Sequence, residues 1–332
     1  MRFSDDLSAD SIIIKRFIFH VIHQGADEPI LLDETPLGKY EHFFAERIIE
    51  TIEGNRFLFN QGSFVQEKLS EISKDDQLFV RLSKAMATHF HSFENKNIKA
   101  GVVIFMKVEI EGQPYFSIIK YDHEEVLAYK LDEDNRKAIL EDVANSFTKS
   151  KESLHKSALI ELTELGGNVF VIDKKVREDI SKFFKGFLNI KRQFDSAELT
   201  KKVEEITIDV VKKNRDKLPA DFTANIKKMV FDATQGEDNY SFQSYYDKIF
   251  GLVGDEQLKT CLIRELKKND LDGEVFAFDK EALKEPRKRK IKTKEGIKIQ
   301  YDDSSSDRIK FYDENDGTKR IEIRTEQYYD EK

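Results

Sequence analysis

The stretch SALIELTELGGNVFVIDKKVREDISKFFKGFL, residues 157–188, contains the change of hydrophobic period that divides the fold. Residues 157–162 and 168–172 are short apolar runs, which predicts two buried strands. From Asp173 onward the apolar residues recur at helical spacing, so we expect one helix to bury a single apolar face. That face consists of Val176, Ile180, Phe183, Phe184, Phe187 and Leu188. Residues 1–173 are therefore predicted to form an α+β domain that a helical region follows.

The front domain is predicted to contain several strands and a group of helices. Residues 11–23 are rich in Ile, Phe and Val, which is typical of a buried strand, and residues 30–32 offer a return strand. A hairpin is expected from residues 102–110 and 115–121, with residues 126–131 as a candidate extension of the same sheet. Apolar residues at helical intervals predict helices over residues 40–53, 64–73 and 75–93. Because the helices are grouped rather than alternating with strands, the expected class is α+β.

The remaining sequence is predicted to form a helical region, residues 174–271, and a small β region, residues 272–332. The segment Asp195-Ser196-Ala197-Glu198 resembles a capping box, which would open a long helix. Further helices are expected near residues 222–234, 241–250 and 255–269. A hairpin of residues 309–312 and 321–325 is predicted to turn at residues 313–317. A length of 332 residues also exceeds what one core usually organises, which favours two or three domains.

A basic segment, residues 284–298, stands out in this acidic chain, and we call it the basic island. Its basic residues are Lys284, Arg287, Lys288, Arg289, Lys290, Lys292, Lys294 and Lys298. Only Glu285 and Glu295 oppose them, so the local net charge is plus six. The whole chain has a net charge of −8, which leaves about minus fourteen for the rest. Clustered Lys and Arg gain free energy by displacing counterions from nucleic-acid phosphates, although a solvated charged loop is an equally simple interpretation.

The lysines of the basic island alternate with apolar residues. Ile291, Ile297, Ile299 and Tyr301 are odd-numbered, whereas Lys290, Lys292, Lys294 and Lys298 are even-numbered. The period of two in a strand would place these lysines on one face and the apolar side chains inward. Two arrangements keep the lysines together: a continuous strand, or a hairpin with a three-residue loop and Gly296 in the left-handed conformation.

A second basic surface is predicted on the helix expected after Asp173. Its candidate phosphate contacts are Lys182, Lys185, Lys191 and Arg192, with Lys174, Lys175 and Arg177 nearby. The phenylalanines at helical spacing are interpreted as core rather than as a platform for stacking bases. Lys and Arg contacts of this kind bind phosphates without reading sequence. Whether this surface or the basic island is the main DNA contact is left open.

Several motifs together resemble the bacterial 37-kDa nucleoid-associated protein family. They are SIIIKRFIFHVI followed by ILLDETPL, the strand SALIEL, the stretch FFKGFLNIKRQF and the terminal GIKIQYDDSSSDRIKFYDENDGTKRIEI, and together they touch most of the chain. Asn189 stands where the family pattern suggests glycine, and Asn is tolerated at a helix end. The resemblance implies a cytoplasmic, nucleoid-located protein that binds duplex DNA and has no known catalytic activity.

Enzyme signatures are weak in this sequence. His20 and His23 would face opposite sides of a strand, and His89 and His91 point about 200° apart on a helix, so neither pair easily chelates a metal. Glu94-Asn95-Lys96 has the Glu-x-Lys form of many metal-dependent nucleases but falls at a helix end. The single Cys261 lies among apolar helical neighbours and has no disulfide partner. We find no phosphate-binding glycine loop and no nucleophile elbow, and we expect no catalytic residue, metal or cofactor.

The function predicted from the sequence is non-enzymatic, largely sequence-nonspecific binding of double-stranded DNA at the bacterial nucleoid. An alternative is a protein adaptor that uses the helical region and the acidic surface, and a weaker one is a metal-dependent nuclease. The acidic first residues, MRFSDDLSAD, do not suit a secretory signal, so the cytoplasm is the expected location, with no membrane contact. Protein partners at the nucleoid and a homo-oligomer are both compatible with the sequence.

Overall fold

The architecture is α+β, as the sequence predicts. The computed structural model describes residues 3–4, 6–22, 28–93, 101–122, 126–132, 137–143, 154–164, 166–176, 179–302, 305, 308–325 and 327–328. The helices are α1 (Glu41–Ile52), α2 (Phe64–Lys74), α3 (Phe79–Ser92), α4 (Lys182–Leu188), α5 (Ser196–Lys213), α6 (Ala220–Gly236), α7 (Phe242–Phe250) and α8 (Glu256–Lys268). The strands are β1 (Ile12–Ile22), β2 (Asn55–Phe59), β3 (Gly101–Ile110), β4 (Gln113–Asp122), β5 (Val126–Asp132), β6 (Lys137–Val143), β7 (Leu154–Glu161), β8 (Asn168–Asp173), β9 (Ile190–Arg192), β10 (Asn239–Tyr240), β11 (Phe276–Ala277), β12 (Lys288–Lys292), β13 (Lys298–Asp302), β14 (Ile309–Asp313) and β15 (Lys319–Ile323).

A seven-stranded antiparallel sheet lies at the centre of the front part, in the order β1-β3-β4-β7-β8-β2-β9. The predicted hairpin of β3 and β4 is confirmed, and its turn residues Glu111 and Gly112 have φ of 50° and 76°. Left-handed backbone at both positions is typical of the tight turn whose twist matches the flanking strands. Pro114, expected in the turn, instead lies in β4 opposite Glu109. Because β7 pairs with β4 only from Phe116 onward, no neighbouring strand needs an N–H at Pro114.

The sheet is covered by helices on both faces. On one face Val103 and Ile118 pack in a cluster with residues of α2, α3 and α4. On the other face Ile104 and Ile119 pack in a cluster with residues of α1. Successive side chains of a strand point to opposite faces, so both faces of β3 and β4 are buried. This two-sided burial explains why the strands are continuous apolar runs in the sequence.

The segment after β8 differs from the single long helix that we expected. Helix α4 is short, and β9 follows it and pairs with β2 at one edge of the sheet. The carboxylate of Asp173 accepts hydrogen bonds from the backbone N–H groups of Lys175 and Ser181, at 3.1 and 2.9 Å, which favours a turn over a helix. Asn189 ends α4 with φ of 51°, as expected for Asn at a helix end. The three phenylalanines of α4 are buried, as predicted.

Other differences concern the edges of the sheet. The expected return strand at residues 30–32 makes only a single bridge, between Ile30 and Val21. Strand β5 does not extend the sheet, because it pairs with β6 in a separate hairpin. Strand β2 was not predicted, because its five residues follow α1 closely and are too few to show a clear alternation of apolar and polar side chains. Its register is set by long-range pairing with β8 and β9.

Helices α5 to α8 enclose a second hydrophobic core. The predicted capping box is present at the start of α5: Asp195 Oδ1 accepts from the Glu198 N–H at 2.8 Å, and Glu198 Oε2 accepts from the Asp195 N–H at 3.0 Å. The chain beyond α8 stays in this core, because Leu271, Phe276 and Leu283 are all buried there. Strands β10 and β11 pair beside it.

The residues that pack in each core indicate where the chain passes from one core to the next. The apolar side chains of α4 and Ile190 of β9 lie in the first core, after the predicted boundary at residue 173. Those of residues 276 and 283 lie in the second core, after the predicted boundary at residue 271. The division into residues 1–173, 174–271 and 272–332 therefore stays a prediction, and the packing favours boundaries near residues 194 and 284.

Two separate hairpins, β12–β13 and β14–β15, follow the second core. The predicted turn at residues 313–317 is present, with Gly317 at φ of 82°. Strand β15, the second strand of this hairpin, begins two residues earlier than expected, and Ile309 pairs with Ile323.

Candidate nucleic-acid interface

The basic island folds as the hairpin β12–β13 with the three-residue loop that the alternation allowed. Thr293 N–H donates to the Ile297 carbonyl at 2.9 Å, and Gly296 N–H donates to the Thr293 carbonyl at 3.1 Å. Gly296 has φ of 97°, the left-handed conformation expected for it. The loop register pairs Ile291 with Ile299 and Lys292 with Lys298.

This register places four lysines on one face of the hairpin, which we call the lysine face: Lys288, Lys290, Lys292 and Lys298. Paired residues and residues two apart share a face in an antiparallel hairpin. Neighbours two apart along β12 are then about 7 Å apart. Lys288, Lys290 and Lys292 therefore form a regular row of positive charges along β12.

Every basic side chain predicted in the island is exposed, namely those of Lys284, Arg287, Lys288, Arg289, Lys290, Lys292, Lys294 and Lys298. The two acids within the island both accept hydrogen bonds. Glu285 accepts from Lys228 of α6 at 2.8 Å, and Leu283, two residues earlier, is buried in the second core. Hydrogen bonds from its own backbone N–H and the Thr293 side chain lower the pKa of Glu295.

The opposite face of the hairpin does not form the inward core that we expected. Ile291 and Ile299 are only half-buried, and the Ile297 side chain is 60% exposed. A two-stranded hairpin has too little apolar surface to bury its own residues. The hairpin therefore presents lysines on one face and partly exposed isoleucines on the other.

The second basic surface is divided by the structure between two elements. Lys182 and Lys185 lie on α4, where Lys182 is exposed and Lys185 forms an ion pair with Asp179 at 3.3 Å. Lys191 and Arg192 lie on β9 rather than on a helix, and Lys191 is exposed. The continuous basic helix face that the sequence predicted is therefore absent over the described residues 179–192.

Arg192 belongs to a buried polar network that joins the two cores. Its guanidinium forms an ion pair with Glu274 and donates to the Val275 carbonyl at 2.7 Å. Glu274 also accepts from the Arg56 backbone N–H at 2.7 Å, and the Arg56 guanidinium pairs with Asp272. Burial raises the pKa of the Glu274 carboxyl, while the arginines oppose that shift.

The network locks one segment, residues 272–275, against β2 and β9, and we call it the interdomain clamp. Asn55 Oδ1 accepts from the Val275 N–H at 2.8 Å. Gly273 has φ of 74°, and a Cβ there would lie 2.6 Å from the Glu53 carbonyl oxygen. Only 14% of the Arg192 side chain is exposed, so its position is that of a structural arginine.

The histidines considered as metal ligands have structural surroundings. His20 is fully buried: its Nε2 lies 3.2 Å from Ser83 Oγ, and its Nδ1 accepts from the Leu32 N–H at 3.1 Å. Burial lowers the pKa of His20 to about 4, with a smaller contribution from Lys84. His89 lies on α3 and packs against the rings of Phe64 and Phe93, and burial lowers the pKa of His89 as well.

The remaining enzyme candidates gain no support. Residues 94–96 and His23 lie outside the described part of the chain. Within the part that is described, no group of three or more His, Cys, Asp or Glu side chains could hold a metal ion. Cys261 is half-buried on α8, near Asn214 and Arg264.

A comparison with protein families decides the relationship. The family described as nucleoid-associated protein YejK matches residues 18–328, nearly the whole chain and both cores. The chain belongs to this family. The resemblance inferred from the quoted motifs is thereby confirmed. No curated protein matches the chain.

Membership of the nucleoid-associated family indicates a DNA-binding role at the bacterial nucleoid, and the family is not known as an enzyme family. Among the described residues, no helix is both long and apolar enough to cross a membrane. The family match covers both basic surfaces and does not distinguish between them.

Proposed function

We propose that this protein binds duplex DNA without sequence preference and without catalysis, and that the basic island is its main contact. The observation that carries the proposal is the lysine face, four exposed lysines aligned on one side of a hairpin. Lys294 at the loop and Arg287 before β12 add positive charge at the two ends. The family's nucleoid association supports DNA as the polyanion.

The charge distribution requires such a local contact. The chain outside the island has a net charge of about minus fourteen, so its long-range field repels DNA. Charges more than about 8 Å apart are largely screened at physiological salt, so the close contacts determine the electrostatic part of the binding free energy. Since Glu285 is paired with Lys228, the island's positive charge is opposed within its own sequence mainly by Glu295.

The four site residues on the second surface contribute unequally to this proposal. Lys182 and Lys191 are exposed and could meet phosphates when the hairpin is bound, whereas Lys185 is paired with Asp179. Arg192 is left out of the proposed surface because the interdomain clamp engages it. Lysine contacts position a protein on the backbone and read no base sequence, so little sequence preference is expected.

Electrophoretic shift measurements over a salt series test the proposal. If roughly four to six phosphates are neutralised, log affinity should fall with log salt at a slope of about minus four to minus five. Affinities for unrelated duplexes of equal length should agree closely, and magnesium should cause no cleavage. A shallow slope, a strong preference for one sequence or divalent-dependent cleavage would contradict the proposal.

A protein adaptor is the second candidate function, and one observation favours it. Leu252 is fully exposed, at 102% of its reference area, in the turn between α7 and α8. Ile263 on α8 is 41% exposed. Capture of a protein partner that is insensitive to salt and is lost in Leu252→Asp would support the adaptor.

A further inference from the structure

Strand β15 lies at the edge of a two-stranded hairpin and pairs, among the described strands, with β14 alone. An isolated two-stranded hairpin is marginally stable in water. The outer edge of such a strand presents backbone N–H and C=O groups that can pair with a strand of another chain. The outer edge of β15 is therefore a candidate interaction surface.

The hydrogen bonds of the hairpin show which backbone groups lie at that edge. Glu314 N–H donates to the Thr318 carbonyl at 2.9 Å, and Arg324 N–H donates to the Arg308 carbonyl at 2.9 Å. Hydrogen-bonded pairs alternate with non-bonded pairs in an antiparallel ladder, so the even-numbered residues bond across the hairpin. The backbone groups of the odd-numbered residues of β15 point outward, namely those of Lys319, Ile321 and Ile323.

One face of the hairpin is apolar. It is formed by two cross-strand pairs, Ile309 with Ile323 and Phe311 with Ile321. Phe311 and Ile323 are 50% and 54% exposed, so the hairpin does not bury this face by itself. A second hairpin added edge to edge would continue the same apolar face across four strands.

The opposite face of β15 carries two opposite charges, Arg320 and Glu322, which are two residues apart. Their present partners are partly exposed: Arg320 lies 3.2 Å from Glu314, and Glu322 lies 3.0 Å from Arg324. Exposed ion pairs of this kind contribute little to stability, so exchanging them for other partners costs little. A strand that places an acid opposite Arg320 and a base opposite Glu322 would complement this edge.

We propose that two copies of the chain form a dimer by antiparallel pairing of their β15 edges, centred on Ile321. In this register the outward N–H and C=O groups of the two strands meet each other. Arg320 of each copy lies opposite Glu322 of the other, at the close spacing of a non-hydrogen-bonded pair. Ile321 lies beside Ile321 of the second copy, so the apolar row that begins at Phe311 crosses the interface.

The charges of β15 select this register over its neighbours. Moving the centre by one residue, to Arg320 or Glu322, would place that residue opposite its own copy, and a like-charge pair destabilises a sheet. The edge of β14 offers no such complementarity. Pairing of two β14 strands about Phe311 would set Lys310 opposite Tyr312, which gives no ion pair.

The basic island provides an internal comparison. Thr293 and Ile297 form a hydrogen-bonded pair, so the odd-numbered residues bond across that hairpin and the even-numbered residues of β12 point outward. These are Lys288, Lys290 and Lys292, and a second β12 would place lysine opposite lysine. Lysines at an edge oppose pairing with another strand. The outward residues of β15 are instead one lysine and two isoleucines.

Sedimentation of the full chain over a concentration series, without DNA, tests the proposal. Wild type should reach twice the mass of one chain as a reversible dimer, because two hairpin edges form a small interface. Arg320→Glu and Glu322→Arg each turn both opposite-charge pairs into like-charge pairs and should weaken the dimer about tenfold. An equimolar mixture of these two variants restores opposite charges at both positions and should recover the dimer.

A second test replaces a backbone donor at the edge. The Ile321 N–H points away from β14, so Ile321→Pro keeps the hydrogen bonds of the hairpin and removes a donor from the interface. The dimer should be lost. Phe311→Pro is the matched control, since Phe311 is paired with Ile321 and its N–H points to the opposite edge of the hairpin. That variant should remain dimeric.

The outcomes separate the dimer from DNA binding, on which it does not depend. A wild-type chain that sediments as a monomer at every concentration would overturn the dimer and leave the DNA-binding proposal as it stands. A dimer that survives Ile321→Pro would place the interface on another surface. Failure of the mixed charge variants to recover the dimer would show that Arg320 and Glu322 do not face each other, and would equally overturn the proposal.

Discussion

Replacing Glu274 by alanine should destabilise the protein without weakening DNA binding. The Glu274 side chain is 2% exposed and is shared by the Arg192 guanidinium and the Arg56 N–H, so its removal leaves both donors buried without this acceptor. Breaking a buried charge pair by removing one partner costs about 3–5 kcal/mol. We expect that loss in the free energy of unfolding, measured by urea denaturation with linear extrapolation.

A surface pair of similar geometry supplies the control. Lys248 lies 2.7 Å from Glu237, but the two side chains are 37% and 44% exposed. Glu237→Ala should therefore cost less than about 1 kcal/mol. Equal unfolding free energies for Glu274→Ala and wild type would show that the clamp contributes nothing to stability.

Arg192 distinguishes the clamp from a DNA contact. Arg192→Ala leaves the Glu274 carboxylate buried without its ion-pair partner, so stability should fall while the salt slope of DNA binding stays the same. A stable Arg192→Ala protein whose slope becomes shallower by about 0.9 would make Arg192 a phosphate contact and refute this assignment.

Three further predictions follow from the described contacts. Burial lowers the pKa of His20 in the folded protein to about 4, below its unfolded value, so the free energy of unfolding should fall by about 3 kcal/mol as the pH drops from above 6.5 to 4. In His20→Asn, the free energy of unfolding should depend less on pH over this range. Replacing the four residues of the lysine face by alanine should make the salt slope shallower by about 3.6, and an unchanged slope would exclude that face. Limited proteolysis should cut near residues 194 and 284, where the packed cores end, and rapid cutting within β3 or α5 would contradict this division.

Most of the helices and strands could be predicted because their side-chain pattern repeats within one element. The strand β1, the helices α1 to α3 and the capping box at Asp195 depend on neighbouring residues, and the structure confirms them. The three-residue loop of the hairpin β12–β13 was one of the two arrangements that the alternation allowed, because it keeps the lysines on one face with Gly296 in the left-handed conformation. Local pattern therefore left two arrangements open, a continuous strand and a hairpin, and the structure has the hairpin.

The features that were missed depend on residues far apart in the chain. Arg56 and Asp272 are 216 positions apart, so no local spacing predicts the clamp. Strand β9 has three residues and exists because β2 lies beside it, and its basic residues resembled a helix face. The inward burial expected for Ile297 was wrong because alternation predicts a shared face but not whether anything covers it.

The central claim is that the lysine face binds DNA, and charge reversal tests it most directly. One variant changes Lys288, Lys290, Lys292 and Lys298 to Glu, and a matched variant changes Lys174, Lys182, Lys185 and Lys191 to Glu. All eight side chains are at least partly exposed, so both proteins should unfold at the wild-type temperature. In shift assays at 0.1 M salt, the first variant should lose nearly all DNA binding and the second should lose less. If the first variant is folded and shifts DNA at wild-type concentrations, the lysine face is a solvated surface and the account is wrong.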